Sequence, residues 1–259
     1  MNRDSLQILI CSCDKYQDVW PVFFALFFKY WPDCPYTINL IANQCVFNDS
    51  RVRTILIPSD LDWSSTFLKA LEKIEASHVL VMMEDYLFTR AIDTNVIQAM
   101  TNCMIKNNME CLHVYPEEKY TTTSVKVGEY LLGEVIAGFP FRVNLQAAIW
   151  RKSSLESLVI AGENAWDFEV SGTKRSVLNN NGFFTVISNA KSAPISYYCT
   201  GVVRGKWMPG AVTLCRREGI KLDFTKRRVG YVRGLFREAW ILQPFRHMFV
   251  FGKRLLGLN

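Results

Sequence analysis

The sequence predicts an α/β protein: one domain on a mostly parallel, doubly wound central sheet, followed by a basic helical tail. Two observations carry the sheet. Short apolar runs at Leu6–Cys11, Tyr36–Ala42, Val52–Ile57 and His78–Met83 have the length and density of strands buried on both faces. Segments of helical periodicity lie between them, so strand and helix alternate in units of about 30 residues, the pattern of parallel crossovers. A third observation sets the tail apart. From Lys226 to the end there are eight Lys or Arg residues and one acid, Glu238, while the whole chain carries +6. Residues 1–225 are therefore near neutral, and the basicity belongs to residues 226–259.

The first run, Leu6–Cys11, ends in the polar turn Ser12-Cys13-Asp14. The densely apolar stretch from Trp20 to Tyr30 reads as a helix. Pro21 falls in its first turn, where the missing amide costs no intrahelical bond, and Pro32 and Pro35 close it. Tyr36–Ala42 is a strand ending at Asn43, and Val52–Ile57 is the next. Residues 59–62 lead into a helix through Ile74, with Phe67, Leu68, Leu71 and Ile74 at a period of about 3.6. His78–Met83, the clearest buried strand, runs straight into Glu84-Asp85. A helix over Thr94–Lys106 and a strand over Cys111–Val114 follow, then a loop or hairpin insertion over 115–138. Gln146–Trp150 is a strand, and Ser153–Ile160 a helix with Ser153 as N-cap and Gly162 as its stop.

Composition narrows the class. Apolar residues make up 49% and charged residues 21%, as in ordinary folded domains, which excludes a disordered chain. The longest dense apolar run, Val22–Phe28, is far short of the roughly 20 residues of a spanning helix. No basic-then-apolar leader precedes the first strand, so the expectation is a cytosolic protein. Cys11-Ser12-Cys13 lacks the spacer of a zinc or redox pair, and His78, His113 and His247 are scattered. The eight cysteines are expected to be reduced, mostly core thiols rather than a disulfide or zinc framework.

In doubly wound sheets ligands collect beyond the carboxyl ends of the strands. Asp14, Asn43 and Glu84-Asp85 all fall there. A carboxylate pair at such an edge can hold a hard divalent cation that bridges a diphosphate. The plainer reading has Asp85 capping the next turn and Glu84 solvated.

Five segments together resemble glycosyltransferases of the GT-A fold, in particular bacterial enzymes that build capsular or lipopolysaccharide O-antigen chains. They are Ser12-Cys13-Asp14-Lys15-Tyr16 with Trp20–Phe24; Lys29–Tyr36; Asp62-Trp63-Ser64; Val81–Tyr86; and Leu145–Trp150. The resemblance implies a single GT-A-like, Rossmann-like domain that transfers a sugar from a nucleoside-diphosphate donor, a UDP-sugar, to a glycan hydroxyl. It places the base and ribose against Cys13, Asp14 and Tyr16 with Asn43 nearby, sets Asp62 and Trp63 beside the nucleotide, and puts Gln146 on the acceptor side. Glu84-Asp85 would occupy the place of the Asp-x-Asp metal motif. Tyr86 stands where the second acid belongs, so the expectation is Mg or Mn held by Asp85, with metal-independent transfer as the alternative.

An inverting transferase needs a carboxylate to take the acceptor's proton. Residues 163–169 offer Glu163, Asp167 and Glu169 around Trp166, whose ring can stack on a sugar face. The resemblance favours Glu169 or Asp167, with Glu163 behind; the alternative is an acidic first helical turn favoured by the helix dipole. Charge on the departing diphosphate must also be neutralised. Lys174, Arg175 and the segment Arg204-Gly205-Lys206-Trp207 are candidates, Lys206 and Trp207 suiting a closing lid.

Residues 229–258 mix Arg233, Arg237, Arg246, Lys253 and Arg254 with Phe236, Trp240, Phe245, Phe249 and other apolar residues. That composition suits helices lying in an anionic membrane surface, and so an enzyme peripheral on the inner face of the plasma membrane with a lipid-linked acceptor. Docking of the tail on the body is the alternative. Nucleic acid is not an expected partner, because the tail has no motif and the body is near neutral. Two rival functions stay open: a noncatalytic glycan-binding or scaffold protein, and a nucleotidyltransferase. The second normally carries a Gly- and Arg-rich loop after the first strand, and Cys11–Tyr16 has none.

Overall fold

The computed structural model describes residues 5–58, 62–116, 124–178, 182–187, 193–198 and 200–230. The strands are β1 (Leu6–Cys11), β2 (Ile38–Ala42), β3 (Val52–Leu56), β4 (His78–Met83), β5 (Leu87–Phe88), β6 (Cys111–His113), β7 (Ser124–Val127), β8 (Tyr130–Glu134), β9 (Ala148–Arg151), β10 (Phe183–Val186), β11 (Tyr197–Tyr198), β12 (Val202–Val203) and β13 (Lys206–Trp207). The helices are α1 (Trp20–Tyr30), α2 (Trp63–Leu71), α3 (Thr94–Lys106), α4 (Lys152–Leu158), α5 (Ala165–Arg175) and α6 (Pro209–Arg217).

Nine strands form one sheet in the order β3-β2-β1-β4-β9-β6-β10-β8-β7. The left half, β3-β2-β1-β4, is parallel throughout: α1 links β1 to β2, α2 links β3 to β4, and residues 43–51 lead from β2 to β3 without a helix. β9 is antiparallel to both β4 and β6, and β10 returns to the parallel sense beside β6. Only β8 and β9 point the other way. The expected mostly parallel α/β sheet is therefore what the chain forms, with one reversal the sequence does not announce. Between β6 and β9 the chain makes the β7–β8 hairpin, and no helix lies there among the described residues.

Apolar alternation assigns the two faces. Ile8, Ile10, Leu80, Met82, Leu112 and Ile149 face a core built with α1 and α3, where Phe23, Phe27, Trp31 and Phe88 pack edge and face. Leu9, Cys11, Val79, Val81, Ala148 and Trp150 face the opposite core with Phe67, Leu155 and Phe168 from α2, α4 and α5. β1 and β4 are buried on both sides, which is why they read as unbroken apolar runs.

Three helix boundaries differ from expectation. α2 stops at Leu71, short of Ile74. α4 begins at Lys152 with Arg151 as an N-cap that makes no side-chain capping bond, not with Ser153 as N-cap, because β9 runs into it without a loop. It stops at Leu158, where Val159 turns extended, well before Gly162. The insertion over 115–138 contains a hairpin: β7 and β8 join through Gly128-Glu129, with Gly128 at φ +57°. No helix among the described residues is long and apolar enough to cross a membrane. Among the tail residues, 226–230 lie on the body, and 231–259 fall outside the described residues.

Candidate active site

The carboxyl ends of β1, β2 and β4 lie side by side, and each carries the side chain expected there. Asp14 opens the short 3-10 turn that follows β1. Its carboxylate accepts the amides of Asn43 at 2.8 Å, Gln44 at 2.9 Å and Cys45 at 3.1 Å, while the Asp14 amide donates to Asn43 Oδ1 at 3.3 Å. Partial burial pushes the Asp14 carboxyl up, but these amides outweigh it and hold its pKa below the ordinary value. Asp14 and Asn43 thus fasten the β1 turn to the end of β2.

The acidic turn is unusual for its burial. Glu84 is 4% exposed, and its Oε2 has no hydrogen-bond partner among the described residues. Burial first, and Asp85 second, push the Glu84 carboxyl well above the usual carboxylate range, while Arg227 pulls it back. Asp85 is raised too, by burial, against the opposing amide of Val202. That amide donates to Asp85 Oδ2 at 3.1 Å, and the Gly201 amide donates to the Asp85 carbonyl at 3.0 Å. A Cβ on Gly201 would stand 2.9 Å from that carbonyl, so the approach needs glycine. Tyr86 turns into the core: its hydroxyl donates to the Leu145 carbonyl at 2.9 Å, and its ring stacks on Tyr197 with centroids 4.6 Å apart. The position at which an Asp-x-Asp motif has its second acid is here a packing position.

The carboxylates of residues 163–169 separate cleanly. Glu163 is bound on both oxygens by Arg175, at 2.8 and 2.7 Å, and Arg175 also donates to the Leu158 carbonyl. Asp167 is exposed at the third position of α5, in a capping box with Asn164. Glu169 alone reaches the ligand edge, where its Oε1 accepts the Leu145 amide at 2.8 Å. Leu145 is thereby held at its carbonyl by Tyr86 and at its amide by Glu169, one peptide unit apart. Burial pushes the Glu169 carboxyl up to about 7, with the Leu145 amide opposing. Gln146 sits beside this loop and accepts the Tyr197 hydroxyl at 2.9 Å. Trp166 is 65% exposed on the outer face of α5.

Other expected residues have local duties. Asp62 caps α2, taking the Ser64 hydroxyl at 2.6 Å and the Ser65 amide at 2.8 Å, and these bonds hold its pKa down. Trp63 stacks on Phe67 at 5.0 Å and tilts against Phe168 at 5.5 Å, between α2 and α5. The segment expected as a lid is a tight hairpin. Arg204 and Gly205 both take positive φ, the geometry of a two-residue turn between β12 and β13. Trp207 is 1% exposed, and its amide and carbonyl bond Arg228 and Gly230 at 2.9 and 2.8 Å. Trp207 is therefore core; Lys206 stays exposed on the hairpin.

The residues that sequence reasoning missed are Asp18 and Arg227. Arg227, 7% exposed, donates to both Asp18 oxygens at 2.9 and 2.8 Å and to the Lys15 carbonyl at 2.9 Å, with its guanidinium 4.8 Å from the centroid of the Tyr16 ring. A cleft of about 590 Å³ opens here, lined by Asp14, Lys15, Tyr16, Asp18, Lys226 and Arg227 and closed on one side by Gly205. Burial and Glu84 push the Tyr16 phenol up. Cys13, half-buried, is raised chiefly by its own burial. No local signal marks Arg227, because its partner lies 209 residues away.

Among the described residues no group of three or more His, Cys, Asp or Glu side chains gathers as a metal site. Glu84 and Asp85 nevertheless fit one hard cation in chemistry. They are adjacent oxygen donors, one oxygen is buried and orphaned, and burial raises both carboxyls.

The fold and site together define an α/β protein with an acidic ligand edge flanked by a cation-lined cleft. No family model and no curated protein matches the chain. Among solved structures it resembles S. aureus TarS residues 1–349 in complex with UDP-GlcNAc, at 11% identity and a TM-score of 0.47, over 70% of this chain and 55% of that one. It also resembles a longer S. aureus TarS chain, at 11% identity and 0.46, over 78% of this chain and 37% of that one. A third likeness is the bifunctional IspDF of Campylobacter jejuni, at 12% identity and 0.40, over 76% and 52%. This chain spans about a third to just over half the length of these proteins. At such identities and scores they are distant likenesses, and they assign no chemistry to this chain.

Proposed function

We propose that the chain is a glycosyltransferase that moves a sugar from a nucleoside-diphosphate donor, taken to be a UDP-sugar, to a hydroxyl of a bacterial surface glycan. The observation that carries this reading is convergence at one sheet edge. The pair of buried Glu84 and half-buried Asp85, the cleft at the β1 turn and the raised carboxyl of Glu169 are linked through Arg227 on one side and Leu145 on the other.

Each part has a task. The cleft has the volume of a small-molecule site. Tyr16 offers a half-buried ring and Asp14 an ionised carboxylate at its mouth, suited to a base and a ribose. Lys15, Lys226 and Arg227 line the same cleft, and Lys206 stands on the hairpin beside Gly205; these cations offset diphosphate charge. A divalent ion held by Asp85 and Glu84, Mg or Mn, would stabilise the charge on the departing diphosphate. Glu169, fixed by the Leu145 amide, takes the proton of the acceptor hydroxyl as its oxygen attacks the anomeric carbon. The bond from that carbon to the diphosphate breaks, and its electron pair leaves with the nucleoside diphosphate. Attack opposite the leaving group inverts the centre. Gln146, next to the Leu145 that Glu169 holds, faces the acceptor side, and the exposed Trp166 ring one helical turn before Glu169 offers a surface on which a sugar can stack.

The acceptor class is a lipid-linked chain such as capsule or O-antigen, and the support is compositional: the basic, aromatic-rich tail suits an anionic membrane surface and a peripheral position on its inner face.

Calorimetric titration with UDP separates the roles. Asp85→Ala should weaken UDP binding in the presence of Mn. Glu169→Gln should leave it unchanged while lowering turnover about 10²- to 10⁴-fold, the usual worth of a general base. Equal loss of UDP binding in both variants contradicts the division of roles.

A further inference from the structure

A second cavity, of about 420 Å³, opens on the same edge of the sheet, away from the β1 cleft. Three elements deliver its walls. Arg90 and Asp93 lie on the segment that leads from the acidic turn, through β5, to the start of α3. Glu129 and Tyr130 form the tip of the β7–β8 hairpin, and Pro194 and Val96 supply apolar surface. The topology explains the meeting. β8 runs antiparallel to β10, so its first residue, Tyr130, lies where β10 ends. β10 is parallel to β6, which has the sense of β4, so that end is also the ligand edge. The β5 segment is tied to this region at three points: β5 pairs with β11, the Thr89 amide donates to the Ser196 carbonyl, and Arg90 donates to the Ala193 carbonyl.

The cavity's chemistry is mixed. One guanidinium, two carboxylates and a phenol stand around a partly apolar wall, and the charges of Glu129, Arg90 and Asp93 all act on the Tyr130 hydroxyl. Two acids against one cation disfavour an anionic ligand such as a phosphate. A neutral sugar fits better, because its hydroxyls both donate and accept and its C–H face matches Val96 and Pro194. Asp85 is five residues from Arg90, and an extended chain spans at most about 18 Å over that length. A few linked sugar rings bridge such a gap.

We propose that this cavity is a subsite for a neutral sugar residue of the acceptor chain, set back from the residue that receives the transfer. It rests on the glycosyl-transfer reading, and it makes the enzyme one that recognises an already extended glycan. The test is binding without donor. Saturation-transfer NMR and fluorescence titration would use a panel of monosaccharides and of tri- and tetrasaccharides built from N-acetylglucosamine, galactose and rhamnose. At least one oligosaccharide should bind the wild type more tightly than its component monosaccharides. Glu129→Gln and Tyr130→Phe should each weaken that oligosaccharide about tenfold while UDP affinity stays unchanged. Oligosaccharides that bind no better than monosaccharides, or variants that bind them as the wild type does, overturn the subsite. Oligosaccharide binding of the expected kind in a protein that turns over no nucleotide sugar keeps the subsite and removes the transferase.

Discussion

Glu169 and Asp85 make different demands on pH. Glu169 keeps its proton to about 7, and a base must have lost it. Turnover at saturating donor should therefore rise with pH through about 7, and the rising limb should disappear in Glu169→Gln; a limb that survives the substitution assigns it to another group. Stability moves the opposite way. An unfolded Glu releases its proton at its ordinary value of about 4.3, whereas the folded group holds it to about 7. The folded state thus binds more protons across that window, and stability falls as pH rises through it. Thermal melts of wild type against Glu169→Gln should diverge above about pH 5, the variant becoming the more stable. The sequence made the acidic turn and the carboxylate trio visible as residue types at strand and helix ends. It did not choose among the trio, because the choice depends on Arg175 holding Glu163, Asn164 engaging Asp167, and Leu145 presenting its amide to Glu169.

At the scale of elements, the site is assembled by the last part of the described chain. Asp85 grips the start of β12 through Gly201 and Val202, and β13 carries Trp207, which binds the strand-like stretch ending at Gly230. Gly201→Ala places a carbon 2.9 Å from the Asp85 carbonyl and should cost about 1–3 kcal/mol, as overpacking does; urea denaturation measures it. UDP affinity should fall in the same variant, because the turn and hairpin must part. Arg227→Ala leaves Asp18 buried without its partner and should cost about 3–5 kcal/mol. Adding Asp18→Asn should recover much of that loss; no recovery in the double variant contradicts the pairing. These links were invisible in the sequence for a simple reason. The acidic turn and its amides are more than a hundred residues apart, and Arg227 read as one more cation of a basic tail.

At the scale of the molecule, the parallel half of the sheet was legible because β1, β2 and β4 are buried on both faces, which leaves unbroken apolar runs such as Leu6–Cys11 and His78–Met83. The reversed β9 was not, since a four-residue strand buried on both faces has the same apolar density in either direction. The tail supports a separate prediction: the full chain should sediment with vesicles containing phosphatidylglycerol at low salt, and a chain ending at Gly230 should not. Equal sedimentation of the two forms contradicts a membrane role for residues 231–259. Nucleotide release from a panel of nucleotide sugars, with Mn and with a chelator, decides whether the edge at Glu84-Asp85 serves glycosyl transfer. Release from at least one donor is expected, and it should be lost in Asp85→Ala. No release and no thermal stabilisation by any donor under either condition would contradict glycosyl transfer there.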